Sequence, residues 1–456
     1  MPYKPQNIKK VLVANRGEIA VRIIQAAHEL NMQAVSLYTD ADKGNLASQL
    51  ADEAVYIGEN LAHKSYLDMD KVIAAAKSVN ADAIHPGYGF LSENATFAQK
   101  VIDAGMIFVG PSSEIIKTMG DKAQAILKAK EANVPTIPGS PVLKDLDEAK
   151  KYAQQLGYPL ALKAIAGGGG KGIRIVQNEE ELTQQYEIAI AEAKAAFGNG
   201  GVYLEVYLPQ AKHIEVQVLG DGKDVIHLYE RECSLQRRRQ KIVEEAPSPS
   251  LDSKTRQRLC DSALNLARLV HYKGAGTLEF LYDEERDGFY FLEMNTRIQV
   301  EHAITEMVTG VDIVREMLRI ADGEPLRFKQ EDIKLRGSSI EIRINAEDPA
   351  NNFFPHPGVV SEVHYPTGAG IRVDSMLFNG RNIPPFYDSL IAKLIIYDES
   401  RPLAVSRMNR ALRQMSIKGI KTTIPLFVDL FKDENIIRGN YHINFLESWM
   451  QKTNEN

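Results

Sequence analysis

The stretch Phe291-Leu292-Glu293-Met294-Asn295-Thr296-Arg297-Ile298-Gln299-Val300-Glu301-His302 alternates apolar and polar residues with a period of two. In an extended chain alternate side chains share a face. One face then carries Leu292, Met294, Thr296, Ile298 and Val300, and the other Glu293, Asn295, Arg297, Gln299 and Glu301. The polar face would span about 30 Å at roughly 3.3 Å per residue. Carboxylates and amides are oxygen ligands for Mg²⁺, and an arginine fork grips a small oxyanion. A plain amphipathic surface strand would favour Thr, Lys and scattered charge, so this strict alternation points to a site. Immediately upstream, Thr277-Leu278-Glu279-Phe280-Leu281-Tyr282 and Phe289-Tyr290-Phe291-Leu292 are β-prone runs flanking the polar turn Asp283-Glu284-Glu285-Arg286-Asp287-Gly288. That is a hairpin signature. With Asp283 opposite Phe289, Glu279 faces Glu293, and carboxylates opposed across a ladder need a cation between them. A divalent metal ion is the expected cation, with Asn295 one step along the same face.

A second unusual run is Gly167-Gly168-Gly169-Gly170-Lys171-Gly172, set between Leu160-Ala161-Leu162-Lys163-Ala164 and Ile173-Arg174-Ile175-Val176. Four consecutive glycines match a dinucleotide fingerprint trivially, and a strand rather than a helix follows. A Walker loop would need Ser or Thr after Lys171, where Gly172 stands. The pattern fits a β–glycine loop–β flap whose bare amides close over phosphates while Lys163 and Lys171 supply charge. Protein kinases carry a similar flap, but their H-R-D and D-F-G segments are missing here. Tyr203-Leu204-Glu205-Val206-Tyr207-Leu208-Pro209 reads either as a core strand or as a hinge that holds an adenine. His213 by itself reads as a routine strand residue. Gln236-Arg237-Arg238-Arg239-Gln240-Lys241 is the densest basic run, and its apolar flanks Leu235 and Ile242-Val243 make an anion site as plausible as a solvated face.

Residues 9–39 show a strand at 11–14, a turn at Gly17, an amphipathic helix over 18–30 and a strand over 33–38. This βαβ rhythm implies a parallel sheet with right-handed crossover. Its first turn lacks G-x-G-x-x-G, so a Rossmann-like scaffold without a dinucleotide is expected. The loop His85-Pro86-Gly87-Tyr88-Gly89-Phe90-Leu91-Ser92-Glu93-Asn94 follows a strand at 81–84, the position where parallel sheets bind ligands. Residues 107–109 close this unit near 118. Asn133-Val134-Pro135-Thr136-Ile137-Pro138-Gly139-Ser140 is a Pro-rich joint, and from 337 onward short β runs alternate with Pro/Gly turns before helical segments near 402–416 and 423–432. The last residues, 452–456, read as a frayed tail. With 456 residues, about two to four domains are expected. The net charge of -6 argues against nucleic-acid or acidic-membrane binding, and the two cysteines, Cys233 and Cys260, exclude a disulfide framework. A cytoplasmic protein with neither signal peptide nor membrane span is the expectation.

The order of these pieces, together with Met119-Gly120-Asp121-Lys122, Ala14-Asn15-Arg16-Gly17-Glu18-Ile19-Ala20 and Arg343-Ile344-Asn345-Ala346-Glu347-Asp348-Pro349, resembles the biotin carboxylases of the ATP-grasp superfamily. Among them it is most similar to the free-standing subunits of bacterial acetyl-CoA carboxylase, over nearly the whole chain. The resemblance implies an α/β fold. It comprises a Rossmann-like preATP-grasp domain (1–118), an ATP-grasp domain (119–336) with a lid at about 135–205, and a C-terminal biotin-carboxylase α+β domain (337–456). It further implies that Lys122, Lys163 and Gly167, Gly168, Gly169, Gly170, Lys171 and Gly172 hold ATP phosphates. Glu205 and Leu208 would border the adenine, with His213 and Gln236 near the ribose. Glu279 and Glu293, helped by Asn295, would hold two Mg²⁺ or Mn²⁺ ions. Lys241, Arg297, Gln299 and Val300 would form a bicarbonate pocket, Glu301 would deprotonate bicarbonate, and Arg343 would stabilise the biotin enolate.

Three positions depart from the family pattern: Arg239 in place of His, Val206 where some members have Lys, and Ala303 in place of Pro. Arg239 keeps a donor and adds permanent charge toward phosphates. Neither a Met-Lys-Met biotinylation motif nor a carboxyltransferase region is present, so the biotin is expected on a carrier protein or as free biotin, with separate carboxyltransferase subunits as partners. The family also implies a homodimer. The competing readings are the biotin carboxylase portion of another biotin-dependent carboxylase, a different ATP-grasp ligase, or a silent nucleotide-binding subunit, and the presence of Lys241, Glu301 and Arg343 argues against the silent one.

Overall fold

The computed structural model describes residues 3–165, 172–197 and 200–454. The glycines and lysine at 167–171 lie outside them. Near the N-terminus, buried apolar runs form a five-stranded parallel sheet in the order Glu53–Tyr56, Gln33–Tyr38, Lys10–Val13, Ala83–His85, Ile107–Phe108. The helix Gly17–Glu29 buries Ile19, Ile23 and Ile24 on one flank, as expected of an apolar stripe at helical spacing. The edge strand Glu53–Tyr56 escapes sequence reading because it is largely exposed and lacks an apolar alternation. The expected βαβ unit is therefore present, with one strand more than the pattern revealed.

Beyond the Pro-rich joint stands a small antiparallel sheet of three strands, with Leu160–Ala164 between Ile173–Val176 and Val202–Val206. Helices Leu146–Leu156 and Glu179–Phe197 cover it, sealing Leu160, Leu162, Val176 and Leu204 in a core of its own. The joint is stitched at both ends: Phe291 donates its N–H to the Pro135 carbonyl at 2.7 Å, and Ser140 N–H reaches the Leu204 carbonyl at 2.8 Å.

The largest layer is an eight-stranded antiparallel sheet, in the order Gly288–Asn295, Lys273–Asp283, Lys212–Asp221, Val225–Arg237, Gln240–Ala246, Ser338–Asn345, Leu390–Asp398, Ile371–Ser375. The last three strands come from beyond residue 337. They continue the central sheet, because Ser338–Asn345 pairs with Gln240–Ala246, a long-range pairing on which the sequence reading of this region made no statement. The C-terminal helices include Arg401–Gln414 and Ile424–Leu430, as the periodicity indicates. They also include Phe445–Asn454, so the expected frayed tail is helical up to Asn454.

The strand expected over 291–302 ends at Asn295. The backbone then leaves the sheet and enters the helix His302–Thr309, with Glu301 at its N-cap. The alternation survives in part: Ile298 stays buried and Arg297, Gln299 and Glu301 border one cavity, but Leu292 and Val300, from the apolar set, border it too. The hairpin register also differs in detail. Asp283 pairs with Gly288, not with Phe289, and a β-bulge at Leu292 takes up one residue. Two residues then oppose one, and the bulge restores Glu279 opposite Glu293.

Candidate active site

The three sheets enclose one cavity of about 1290 Å³. A row of charged side chains runs across four adjacent strands, from Glu293 and Glu279 in the cavity wall to Glu215 and Arg231 behind it. Glu293 is paired with Glu279, Glu279 with Glu215, and Glu215 with Arg231. Three carboxylates side by side repel unless cations intervene. Arg231, fully buried, donates from Nε to Glu215 Oε1 at 2.5 Å and holds Gln217, Thr277, Gln299 and Thr305 with its other nitrogens. From the hairpin end, Lys241 Nζ lies 2.5 Å from Glu215 Oε2, 2.8 Å from Glu279 Oε1 and 2.8 Å from Glu301 Oε1. Burial works against the Lys241 charge, but these three carboxylates raise its pKa well above the ordinary lysine range.

Glu279 is the most heavily contacted carboxylate of the row. Its Oε1 accepts from Gln299 Nε2 at 2.7 Å and from Asn295 Nδ2 at 3.1 Å, and its Oε2 lies 3.1 Å from His213 Nε2. Burial pushes its carboxyl up, while Lys241 and His213 together pull it well below the usual carboxylate range. Glu293, beside it, goes the other way: burial and the Glu279 charge raise it, with Lys122 offsetting only part. A pair of carboxylates with one member short of a counter-charge is a donor set suited to a hard divalent cation.

Glu301 sits at the deep end. Its Oε1 accepts from Lys241 and its Oε2 from Arg343 Nη2 at 2.9 Å. Burial alone would raise its pKa, but Lys241, Arg343 and Arg231 hold it well below the carboxylate norm, so it is ionised. Arg343 donates its Nε to Glu244 Oε1 at 2.6 Å. Arg297 is tied to the loop after the strand Ala83–His85, donating its Nε to Glu93 Oε2 at 2.8 Å and Nη2 to Asn295 Oδ1 at 2.7 Å. The Val300 side chain borders the cavity, and its carbonyl accepts from Lys393 Nζ at 2.6 Å.

The outer half is lined by Lys122, at the first turn of the helix Lys122–Glu131, and by Lys163, Glu205, Leu208, His213 and Gln236. Gln236 Nε2 contacts His213 Nδ1 at 3.2 Å. Lys163 and Glu205 are neighbours on paired strands and form an ion pair with each other. Gly172 is at φ +77°, its carbonyl accepting from Ala164 N–H, and it does not border the cavity. The basic run forms a tight hairpin: Arg237 pairs with Gln240, leaving Arg238 and Arg239 at the turn with φ of 48° and 68°. Arg237 stacks on Phe353 and pairs with Glu347. Among the described cations that line the cavity, only Lys122 and Arg239 have no carboxylate in ion-pair contact.

Family comparisons agree with this architecture along the chain. Residues 7–116 match the model of the biotin carboxylase N-terminal domain, 121–329 that of the ATP-binding domain of the carbamoyl-phosphate synthase L chain, and 341–448 that of the biotin carboxylase C-terminal domain. Biotin carboxylase 1 of Bacillus subtilis strain 168 is 50% identical over 444 residues, 97% of this chain and 99% of that one. The chain belongs to the biotin carboxylase family. It is an ATP-grasp ligase by that membership. Among solved structures, the biotin carboxylase domain of a thermophilic 2-oxoglutarate carboxylase, bound to bicarbonate, superposes with a TM-score of 0.92 at 48% identity, covering 97% of this chain and 98% of that one. The small subunit of 2-oxoglutarate carboxylase from Hydrogenobacter thermophilus is 51% identical over 96% of this chain and 93% of its own.

For a biotin carboxylase, the residues expected from sequence converge well: all of those described, apart from Gly172, border one cavity. What sequence reading passed over is the layer behind them. Arg231, Glu215 and Glu244 each fix a cavity residue without having been expected there, while Glu93 holds Arg297 from within the loop 85–94 expected to bind ligands. A signal existed for Glu215, since His213, Glu215 and Gln217 alternate with Ile214, Val216 and Val218 in the strand Lys212–Asp221. Arg231 sits in Glu230-Arg231-Glu232, where consecutive charges hide the face each belongs to.

Proposed function

We propose that this protein carboxylates the biotin of a biotin carboxyl carrier protein, using ATP and bicarbonate through carboxyphosphate, as the first half-reaction of acetyl-CoA carboxylase. The observation that carries this reading is Glu301 held between Lys241 and Arg343 at the deep end of a cavity whose outer half presents unpaired cations. ATP would lie with its adenine at Glu205 and Leu208, its ribose near His213 and Gln236, and its phosphates toward Lys122, Lys163 and the glycine flap. Lys163 must then release Glu205. Glu279, Glu293 and Asn295 suit the magnesium or manganese ions that accompany ATP, which would neutralise phosphate charge there.

Bicarbonate would settle among Lys241, Arg297, Gln299 and Val300. While Glu301 is clasped by two cations it is ionised but a weak base. An anion that draws Lys241 and Arg343 to itself removes part of that stabilisation and restores basicity where the proton must be taken. Deprotonated bicarbonate attacks the γ-phosphate, ADP leaves, and carboxyphosphate breaks down to CO₂ and phosphate. The phosphate takes the N1′ proton of biotin, Arg343 steadies the enolate charge, and the enolate attacks CO₂.

A homodimer working with carrier and carboxyltransferase subunits in the cytoplasm is part of this reading. It is supported by a solved dimer of the related 2-oxoglutarate carboxylase domain. No helix among the described residues is long and apolar enough to cross a membrane. A second acceptor context has support of its own, because the solved biotin carboxylase subunit of pyruvate carboxylase is 50% identical, covering 97% of this chain and 98% of that one. The test is ADP release with Mg²⁺, ATP and bicarbonate, with and without free biotin. Strong stimulation by biotin, lost in Glu301→Gln by at least about a hundredfold, is the expected result. Biotin-independent turnover would point to a different ATP-grasp ligase.

A further inference from the structure

Behind Arg343 lies a feature that this catalytic reading does not use. Glu244 on the strand Gln240–Ala246 and Glu341 on the strand Ser338–Asn345 are register partners, both with no exposed surface. Directly opposed side chains on an antiparallel ladder have Cβ atoms about 4.5–5.5 Å apart, within reach of each other's carboxyls. Glu341 is two residues from Arg343, on the same face of the same strand.

Their hydrogen bonding is incomplete in a specific way. Glu244 Oε1 accepts from Arg343 Nε at 2.6 Å, but Glu244 Oε2 and both oxygens of Glu341 have no donor. The nearby cations are committed elsewhere. Lys393 Nζ donates to the Val300 carbonyl at 2.6 Å and lies 3.4 Å from Glu18 and 3.7 Å from Asp374. Arg343 Nη2 is turned to Glu301, and Lys241 to Glu215, Glu279 and Glu301. A buried carboxylate without a donor is strongly disfavoured, and two facing each other more so. Burial and neighbouring carboxylates accordingly drive Glu341 well above the carboxylate range, and Glu244 to about 7.

We propose that Glu341 is a protonated carboxylic acid that donates its hydrogen bond to Glu244 Oε2, and that this acid–carboxylate pair positions Arg343. One proton then satisfies an oxygen on each residue. It leaves a single negative charge behind the guanidinium, so Arg343 stays balanced between Glu244 and Glu301. With both carboxyls ionised, the doubled charge would draw Arg343 toward the sheet and away from the cavity. The effect on turnover rests on the proposed function, whereas the proton on Glu341 does not.

Infrared difference spectroscopy of the full-length protein at neutral pH, wild type against Glu341→Gln, reads the proton directly. A carboxylic-acid carbonyl band present in wild type and lost in Glu341→Gln is expected; no such band would overturn the proposal. For the positioning role, Glu341→Leu should lower biotin-stimulated kcat about tenfold or more with the KM for ATP unchanged. Glu341→Gln, neutral and still a donor, should restore most of that rate. A Gln variant as impaired as a correctly folded Leu variant would mean that an ionised Glu341 is required, which also overturns the proposal. If Glu341→Leu fails to fold, the infrared band and the Gln variant still decide. Wild type that biotin fails to stimulate would defeat the proposed function and leave the infrared result as the judge of the pair.

Discussion

Arg239 shows how much one side chain can be asked to do at once. It lines the cavity without an ion-pair partner and occupies a turn position at φ +68°, where a residue with a Cβ is strained. In a two-residue hairpin turn with both φ values positive, Asn and Gly are the favoured occupants. Arg239→Asn is therefore expected to raise the thermal midpoint slightly while raising the KM for ATP roughly tenfold, the loss of about 1.4 kcal/mol of phosphate attraction. Thermal melts and ATP saturation curves on the same preparation would check both arms; an unchanged KM would remove Arg239 from the nucleotide site. Residues of this kind were legible from sequence because their chemistry is unusual for their surroundings. Glu244 and Glu341 were not, since a Glu in a strand carries no sign of what faces it across the sheet.

At the scale of elements, the bulge at Leu292 and the C-terminus of the helix Ile313–Asp322 both depart from simple periodicity. The bulge decides which carboxylates meet: without its extra residue, the pairing Asp283–Gly288 would carry through to put Leu292 opposite Glu279. Asp322 ends its helix where the macrodipole disfavours a carboxylate. Four donors override this: Tyr3 OH at 2.6 Å and the N–H groups of Gln6, Asn7 and Ile8 at 2.8, 2.6 and 2.7 Å. Burial pushes Asp322 up, but these bonds bring its pKa below the ordinary value. A folded pKa below the unfolded one contributes stability that is complete above about pH 3.9 and lost as pH falls through the folded value. Asp322→Asn should thus cost about 1–3 kcal/mol at pH 7. The gap between variant and wild type should close below about pH 3.9 in acid unfolding curves. A gap that persists at low pH would contradict the assignment.

Over the whole molecule, the first and last parts of the chain are joined at Asp42. It accepts from Arg16 Nε and Nη2 at 2.7 and 2.8 Å, from Arg381 Nη2 at 2.7 Å and from Tyr66 OH at 2.9 Å, and the Tyr387 ring lies 4.2 Å from the Arg16 guanidinium. Removing one partner of a buried ion cluster leaves the others uncompensated, so Asp42→Asn should destabilise by about 3–5 kcal/mol in chemical unfolding. A loss under about 1 kcal/mol would mean that the cluster is solvated. Sequence by itself determined the βαβ start, the two strands that flank the glycine run, the hairpin that carries Glu279 and Glu293, and the set of charged residues around Glu301, because each is a local pattern of spacing and side-chain chemistry. Only the tertiary structure decided that the strands after residue 337 extend the central sheet. It alone also set Glu244 against Glu341 and made Arg231 and Lys241 the counter-charges of a four-strand row. Those facts depend on which strands pair and in what register, and pairing between distant segments leaves no period in the chain.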